Sequence, residues 1–226
     1  MSISIIIPVY NEILNLDGTY ANLSYAINLL KLKDYEIIFI NDCSTDESLA
    51  KLKKIKKKNI NIRIINNKIN IGLSESIQKG IKFSKKEFIW WLPSDDNLKY
   101  KEIIKMLKHY SDFDFIYTKH LMKRNYFRKF VSHSFTVIVN FIFNLNFSYY
   151  NSLFLVKKKH LKKISIKSKS QFWMAELSIK LLSISNNFET RTLKLNERKA
   201  GSSNIFNLTQ LYKTVIDLIK FRLNSL

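Results

Sequence analysis

A chain of 226 residues with 46% hydrophobic content can bury a sizeable core as one domain, and its single cysteine, Cys43, excludes a disulfide framework. No cysteine and histidine spacing fits a structural zinc site. Thirty-eight basic residues against 18 acidic ones leave a net charge of +20, which would attract nucleic acid or an anionic lipid surface. The basic stretch LAKLKKIKKKN, however, keeps Leu49, Leu52 and Ile55 at helical spacing, as a solvated helix face does, and no DNA or RNA module accompanies it. No nucleic-acid partner is expected.

The opening MSISIIIPVYNE has no basic leader region and meets Pro8 and Glu12 after a short apolar run, so it reads as a first strand and a cytoplasmic location is expected. SISIIIPVY, YEIIFIND, IRIINN, EFIWWLPS and FDFIYT read as strands, and residues 16–30, 46–57, 73–83 and 100–110 between them read as helices. Near-continuous Ile-rich strands alternating with helices predict an α/β fold, a mostly parallel sheet with helices on both faces. After about Thr118 the sequence is aromatic-rich and less regular, with YNSLFLV and FETRTLKL as further strands. Apolar residues from Ile205 to Leu223, with Lys213, Lys220 and Arg222 among them, predict an amphipathic C-terminal helix over 205–226. No apolar run is long enough for a transmembrane helix.

In an open parallel sheet, ligands collect beyond the carboxyl ends of the strands. The polar and turn-forming residues fall there: Pro8 to Glu12, Asn41 to Asp46, the connection NINIGLSESIQKG, and Pro93 to Asn97. Both prolines, and Gly72 and Gly80 of the four glycines, sit in these segments. Singly, each has a plain structural reading, Asp46 as a helix cap and Gly72 as a turn. The glycine signatures of dinucleotide and P-loop sites are missing. Adjacent Asp95 and Asp96 would repel one another without a nearby cation, and Mg²⁺ or Mn²⁺ characteristically binds through one or two carboxylates plus substrate phosphates. SDDN is also good capping chemistry for the helix that follows.

IPVYNE, NDCSTDES, NINIGLSESIQKG and LPSDDNL, in this order, resemble the nucleotide-binding half of family 2 glycosyltransferases of the GT-A fold, with its Rossmann-like sheet, over residues 2–117. The resemblance implies a nucleoside diphosphate sugar donor with Mg²⁺ or Mn²⁺. Pro8, Tyr10 and Glu12 would line the nucleotide pocket, Asp42 would recognise the base, Asn70 and Gly72 would approach the same nucleotide, and Asp95 and Asp96 would match the acidic metal and ribose motif, with Asp96 the first choice as ligand. Two positions depart from the family pattern: Asn41 stands where an acid is common, and Pro93 where the acidic motif often begins. The expected organisation is a single domain over 1–226, with a donor half at 1–118, an acceptor half at 119–204 and the helix at 205–226.

Many family members that act on sugar hydroxyls carry an acidic pair before a helix, one acid serving as general base. In QFWMAELSIKLL the comparable positions are Trp173 and Met174, leaving only Glu176, which can equally pair with Lys180 at i,i+4. Further on, NERKAGSSN resembles the R..G.S element of the dolichol-phosphate mannosyltransferase branch, which implies Arg198, Ser202 and Ser203 near an acceptor phosphate. A hydroxyl acceptor profits from a base by ~10²–10⁴-fold. A phosphate with a second pKa near ~6 is already ionised at neutral pH and needs cationic contacts instead. The expected acceptor is therefore a polyprenyl phosphate, with Asp96, Arg198 and Glu176 the candidate catalytic residues and peripheral docking on the inner face of the cell membrane. The alternatives are a sugar hydroxyl of a cell-surface glycan, with Glu176 as base, and a non-catalytic basic protein.

Overall fold

The computed structural model describes residues 2–121, 126–197 and 208–224. In chain order the elements are β1 (Ile3–Val9), α1 (Leu16–Leu29), β2 (Tyr35–Asn41), α2 (Ser48–Lys56), β3 (Ile62–Asn66), α3 (Leu73–Phe83), β4 (Phe88–Trp91), α4 (Tyr100–Leu107), β5 (Phe115–Leu121), α5 (Tyr126–Phe143), β6 (Leu155–Lys157), α6 (Lys158–Leu161), α7 (Trp173–Leu182), β7 (Phe188–Lys194) and α8 (Leu208–Leu223). A 3₁₀ turn at Tyr110–Asp112 follows α4, which stops where His109 takes a left-handed conformation.

All seven strands share one sheet, in the order β3-β2-β1-β4-β6-β5-β7. The pairs among β1, β2, β3 and β4 are parallel, as is β5 with β7, whereas the three-residue β6 runs antiparallel to both its neighbours. Every residue of β1 is buried, which is why its sequence shows no alternation: a strand covered on both faces has no solvent side to mark. Its one polar residue, Ser4, donates to the buried Glu36 carboxylate at 2.7 Å, and Arg63 and the N–H of Lys85 complete that acid's partners.

Right-handed crossovers fix the layers. The chain steps from β1 outward to β2 and β3, laying α1 and α2 on one face, then returns past β1 to β4, laying α3 on the other. Strand order therefore reverses between β1 and β4, where a ligand crevice is expected. On its face α3 packs against β1 and β2, so closely that a Cβ at Gly80 would overlap Ile6 Cγ2 and stand 3.1 Å from Ile6 Cγ1 and Cδ1.

The stretch that reads as irregular after Thr118 contains an 18-residue helix, α5. Its apolar residues lie on two faces: Phe135, Val139 and Phe143 pack inward with Phe172, Leu218 and Phe221, while Phe130, Val137 and Phe141 face outward. Apolar residues on both sides erase the 3.6-residue period by which an amphipathic helix is read. The expected strand YNSLFLV shrinks to Leu155–Lys157. The C-terminal helix is present from Leu208. Among the described residues, no helix is long and apolar enough to cross a membrane.

Gly80→Ala would gain about 1 kcal/mol of helix propensity. Intrusion on a β-branched core side chain costs typically 1–3 kcal/mol, and the steric term is expected to dominate. The urea midpoint should fall, by about 1 kcal/mol in stability.

Candidate active site

The loops after β1 and β2 are braced against each other. Asn11, held at φ 54°, accepts the N–H of Thr45 at 2.8 Å and of Asp46 at 3.3 Å through Oδ1, and donates its own N–H to Ser44 Oγ at 3.1 Å. The N–H of Glu12 goes to Ser48 Oγ at 2.9 Å and that of Ile13 to Asp46 Oδ2 at 3.2 Å. Asp46 Oδ1 also accepts the N–H of Ser48, so this acid performs the capping role open to it in the sequence. Pro8 is buried within β1, Tyr10 beyond it is half exposed, and Glu12 Oε2 accepts Asn15 Nδ2 at 2.6 Å.

Asp42 organises the second edge. Its Oδ1 accepts Asn67 Nδ2 at 2.8 Å and the N–H of Ile71 at 2.9 Å, its Oδ2 accepts the N–H of Gly72 at 2.8 Å, and its carbonyl accepts Asn70 Nδ2 at 3.3 Å. Asp42, Asn70 and Gly72 are thus brought together, with Gly72 at φ 86° opening α3. Both carboxylate oxygens of Asp42 face the loop they hold, and the residue is 4% exposed. In this arrangement Asp42 fixes the backbone of Ile71 and Gly72.

The acidic loop after β4 is fastened to α1. Thr19 Oγ1 accepts the N–H of Asp96 at 3.0 Å and donates to the carbonyl of Ser94 at 2.9 Å. The Asp96 carboxylate receives Asn22 Nδ2 at 2.8 Å and Lys99 Nζ at 2.9 Å and lies over Gly18, where a Cβ would stand 2.8 Å from Oδ1 and closer to Oδ2. Asp96 is buried, at φ 52°. Asp95 is only half buried, and its Oδ2 accepts Asn97 Nδ2 at 3.0 Å. Asp96, the expected first ligand, already has a lysine and an amide on its carboxylate. Asp95, the more exposed of the two, is the other candidate. Among the described residues no group of three or more His, Cys, Asp or Glu side chains could hold a metal by itself, but Mg²⁺ asks for no more than one or two carboxylates when a diphosphate supplies the remaining oxygens. Asp95, partly exposed as a residue with its Oδ1 buried, and Asp96 beside it could supply those one or two carboxylates.

Gly18, Thr19, Asn22 and Lys99 were not singled out in the sequence. Gly18 carried a signal: a glycine in the first turn of a helix, in a chain with only four, asks for a reason of close approach.

Trp173 and Met174, at the positions where a base would stand, are buried; Trp173 packs on Trp91 and Phe154 with centroids 6.2 and 5.7 Å away. Glu176, one turn into α7, is fully buried. It pairs with Lys180 at 2.5 Å and accepts the N–H of Lys167 at 3.1 Å and of Ser168 at 2.9 Å. Burial pushes its pKa up, but Lys180, Ser168 and the Lys167 N–H together outweigh that and hold it below the ordinary 4.5. A carboxylate so held is a weak proton acceptor. A cleft of ≈ 450 Å³ opens between α7 and α8, lined in part by Lys167, Glu176, Lys180 and Lys220; none of its lining residues comes from the loops after β1, β2 and β4. Arg198, Ser202 and Ser203 lie outside the described residues.

A mostly parallel sheet with braced loops and paired acids at its switch point defines a nucleotide-binding α/β enzyme fold. Residues 4–170 match the family described as Glycosyl transferase family 2, and the chain belongs to that family. Its fold is GT-A-like, and membership of this family weighs against the non-catalytic alternative. The Poly(ribitol-phosphate) beta-glucosyltransferase of Bacillus spizizenii is 40% identical over 98 residues, 42% of this chain and 15% of that protein. The Dolichol-phosphate mannosyltransferase of Saccharomyces cerevisiae is 29% identical over 92 residues, 41% of this chain and 34% of that one. The matched stretch thus spans about a third or less of these relatives' length. Among solved structures, glucosyl-3-phosphoglycerate synthase from Mycobacterium tuberculosis, in complex with Mn²⁺, UDP and glucosyl-3-phosphoglycerate, superposes with a TM-score of 0.69 at 12% identity, covering 98% of this chain and 79% of that one. TarS of S. aureus gives 0.59 at 18% identity, covering 84% and 58%. Likeness at these identities establishes the fold alone.

Gly18→Ala is expected to push the Asp96 carboxylate off its seat, lowering stability by about 1–3 kcal/mol and speeding amide exchange of the Ser94 to Asn97 segment above that of β1. Glu176 gives a pH prediction. Its folded pKa lies below the ordinary 4.5, so its contribution is complete above the unfolded value and is lost as pH falls through the folded one. Glu176→Gln should cost about 1–3 kcal/mol at pH 7, and denaturant titrations should show the difference from wild type shrinking below pH 4.5.

Proposed function

We propose that this glycosyltransferase moves a sugar from a nucleoside diphosphate sugar to a polyprenyl phosphate, with inversion at the anomeric carbon. The donor reading is carried by one observation: the loops holding Tyr10 and Glu12, Asp42 with Gly72, and Asp95 with Asp96 all leave strands β1 to β4 at the switch point, and are tied to one another or to α1. The relative solved with Mn²⁺ and UDP supports the donor class.

In this reading Pro8, Tyr10 and Glu12 line the nucleotide side, and Asp42 sets the backbone of Asn70 and Gly72 against it. Asp95 is the protein ligand of Mg²⁺ or Mn²⁺, with Asp96 fixing the loop from behind. The cation, when bound, offsets charge building on the departing diphosphate. As the bond from the anomeric carbon to the diphosphate oxygen breaks, that oxygen keeps the electron pair, and an acceptor phosphate oxygen forms the new bond from the opposite face. No proton needs removing from an acceptor that is already ionised.

The acceptor reading is supported by α7, where Trp173 and Met174 offer no base and Glu176 is bound by three groups. It also rests on Arg198, Ser202 and Ser203 as phosphate contacts. Asn196, two residues before Arg198, donates its N–H to the carbonyl of Asn97 at 2.8 Å, which brings the chain beside the acidic loop. The likeness to the poly(ribitol-phosphate) enzyme favours a second reading, transfer to a sugar hydroxyl with Glu176 as base.

A thermal-shift panel of UDP, GDP and CDP sugars tests the donor. At about 100 times Kd, binding adds ~2.7 kcal/mol, on the order of 5–10 °C for a domain of this size. One nucleotide class should give such a shift with Mn²⁺, and Asp95→Asn should remove it while leaving the unliganded melt within a few degrees. A shift indifferent to Mn²⁺ and to Asp95→Asn would reject the metal site. With the donor known, label transferred to a short polyprenyl phosphate, undiminished per folded molecule in Glu176→Gln, supports the lipid acceptor; turnover that needs Glu176 supports the hydroxyl.

A further inference from the structure

Helices α5 and α8 each have two apolar faces. The inner faces meet: Phe143 and Phe221 lie 5.4 Å apart, and Val139 and Leu218 join one buried cluster with Phe172 of the segment leading into α7. The outer face of α5 carries Tyr126, Phe130, Val137 and Phe141, at intervals of four, seven and four residues, so they form a stripe along one side. Phe141 is 88% exposed and Phe130 69%. On α8, Tyr212, Val215, Ile219 and Leu223 repeat the pattern, with Tyr212 68% and Leu223 66% exposed. Single exposed apolar residues need no account, but two adjacent helices each carrying a continuous stripe do.

Charge identifies the occupant. The sequence of α5 contains Arg128 and Lys129 and no acid, and that of α8 contains Lys213 and Arg222 besides Lys220, which lines the cleft against α7. The one acid of the two helices, Asp217, accepts the N–H of Ser170 at 3.1 Å and lies in the cleft between α7 and α8. Two copies of such a surface would repel each other through like charge. An anionic bilayer supplies both of the complements it lacks, acyl chains for the stripes and negative headgroups for the lysines and arginines. We propose that the outer faces of α5 and α8 form one platform that lies on an anionic membrane surface. It complements the lipid-phosphate acceptor proposed above without depending on it, since membrane docking would equally suit an enzyme acting on a lipid-linked or surface glycan.

The test is co-sedimentation of the full chain with vesicles of phosphatidylcholine alone or mixed with phosphatidylglycerol. Binding to the mixed vesicles, weakened by salt, is expected. Phe141→Ser with Ile219→Ser should reduce the partition coefficient about tenfold or more, and Lys129→Ala with Lys213→Ala about 25-fold, near fivefold per charge. All four positions are exposed, so the variants should keep the wild-type melt and the donor-induced thermal shift. Equal sedimentation with both vesicle types, no sedimentation with either, or variants that bind as wild type would overturn the platform. So would a dimer in light scattering that the Phe141 and Ile219 changes dissolve, because the occupant would then be a second copy. A donor shift that persists while vesicle binding fails rejects the platform alone, and the reverse outcome rejects the donor reading alone.

Discussion

Thr19 receives the N–H of Asp96 and returns its hydroxyl to the carbonyl of Ser94, so the loop after β4 is fastened to the first turns of α1 by its backbone, while Asn22 and Lys99 secure the carboxylate. Everything proposed for Asp95 depends on this seat. A half-buried acid can offer a reproducible oxygen to a cation only if its backbone is immobile, and here its neighbour is the anchor. Gly18 makes the seat possible, since any side chain there would occupy the volume of the carboxylate.

The same logic runs along the whole edge. Four of the seven described residues with positive φ, Asn11, Cys43, Gly72 and Asp96, stand just beyond the carboxyl ends of β1 to β4. A left-handed conformation costs an L-residue roughly 1–2 kcal/mol. For two of them it is offset locally, Asn11 by its bonds to Thr45 and Asp46 and Asp96 by its attachment to α1, while Gly72 adopts its turn without that cost and is held by Asp42. Strain of this kind persists only where surrounding bonds over-determine it, and its concentration at one edge is the backbone's own mark of a working site.

The first four strands and helices were legible because buried parallel strands read as runs of isoleucine and the helices between them have one wet face. The strand ends were legible for the complementary reason: prolines, glycines and acids are scarce in this chain and gather there. What adjacency in sequence could not reveal was direction. Asp95 and Asp96 are neighbours, yet one is held against a helix and the other stays half open, and that difference comes from Gly18 and Asn22, more than seventy residues earlier. Glu176 was legible as the partner of Lys180, but its bonds to the Lys167 and Ser168 amides depend on how the chain folds back before α7. Helix α5 escaped because apolar residues on both its inner and its outer face blur the 3.6-residue period.

The short strand β6 is the seam of the sheet. It meets β4 over three residue pairs and β5 over two, against seven for β1 with β2 and seven for β5 with β7. Two well-knit blocks are therefore joined by a narrow backbone bridge, reinforced by aromatic contacts such as Trp91 with Phe154 and Trp173. The family match ends at residue 170, so α7, β7 and α8 lie beyond it. With so few backbone pairs across the seam, the cohesion of the two blocks falls to side-chain packing and to α4, which lies against both α1 and β7.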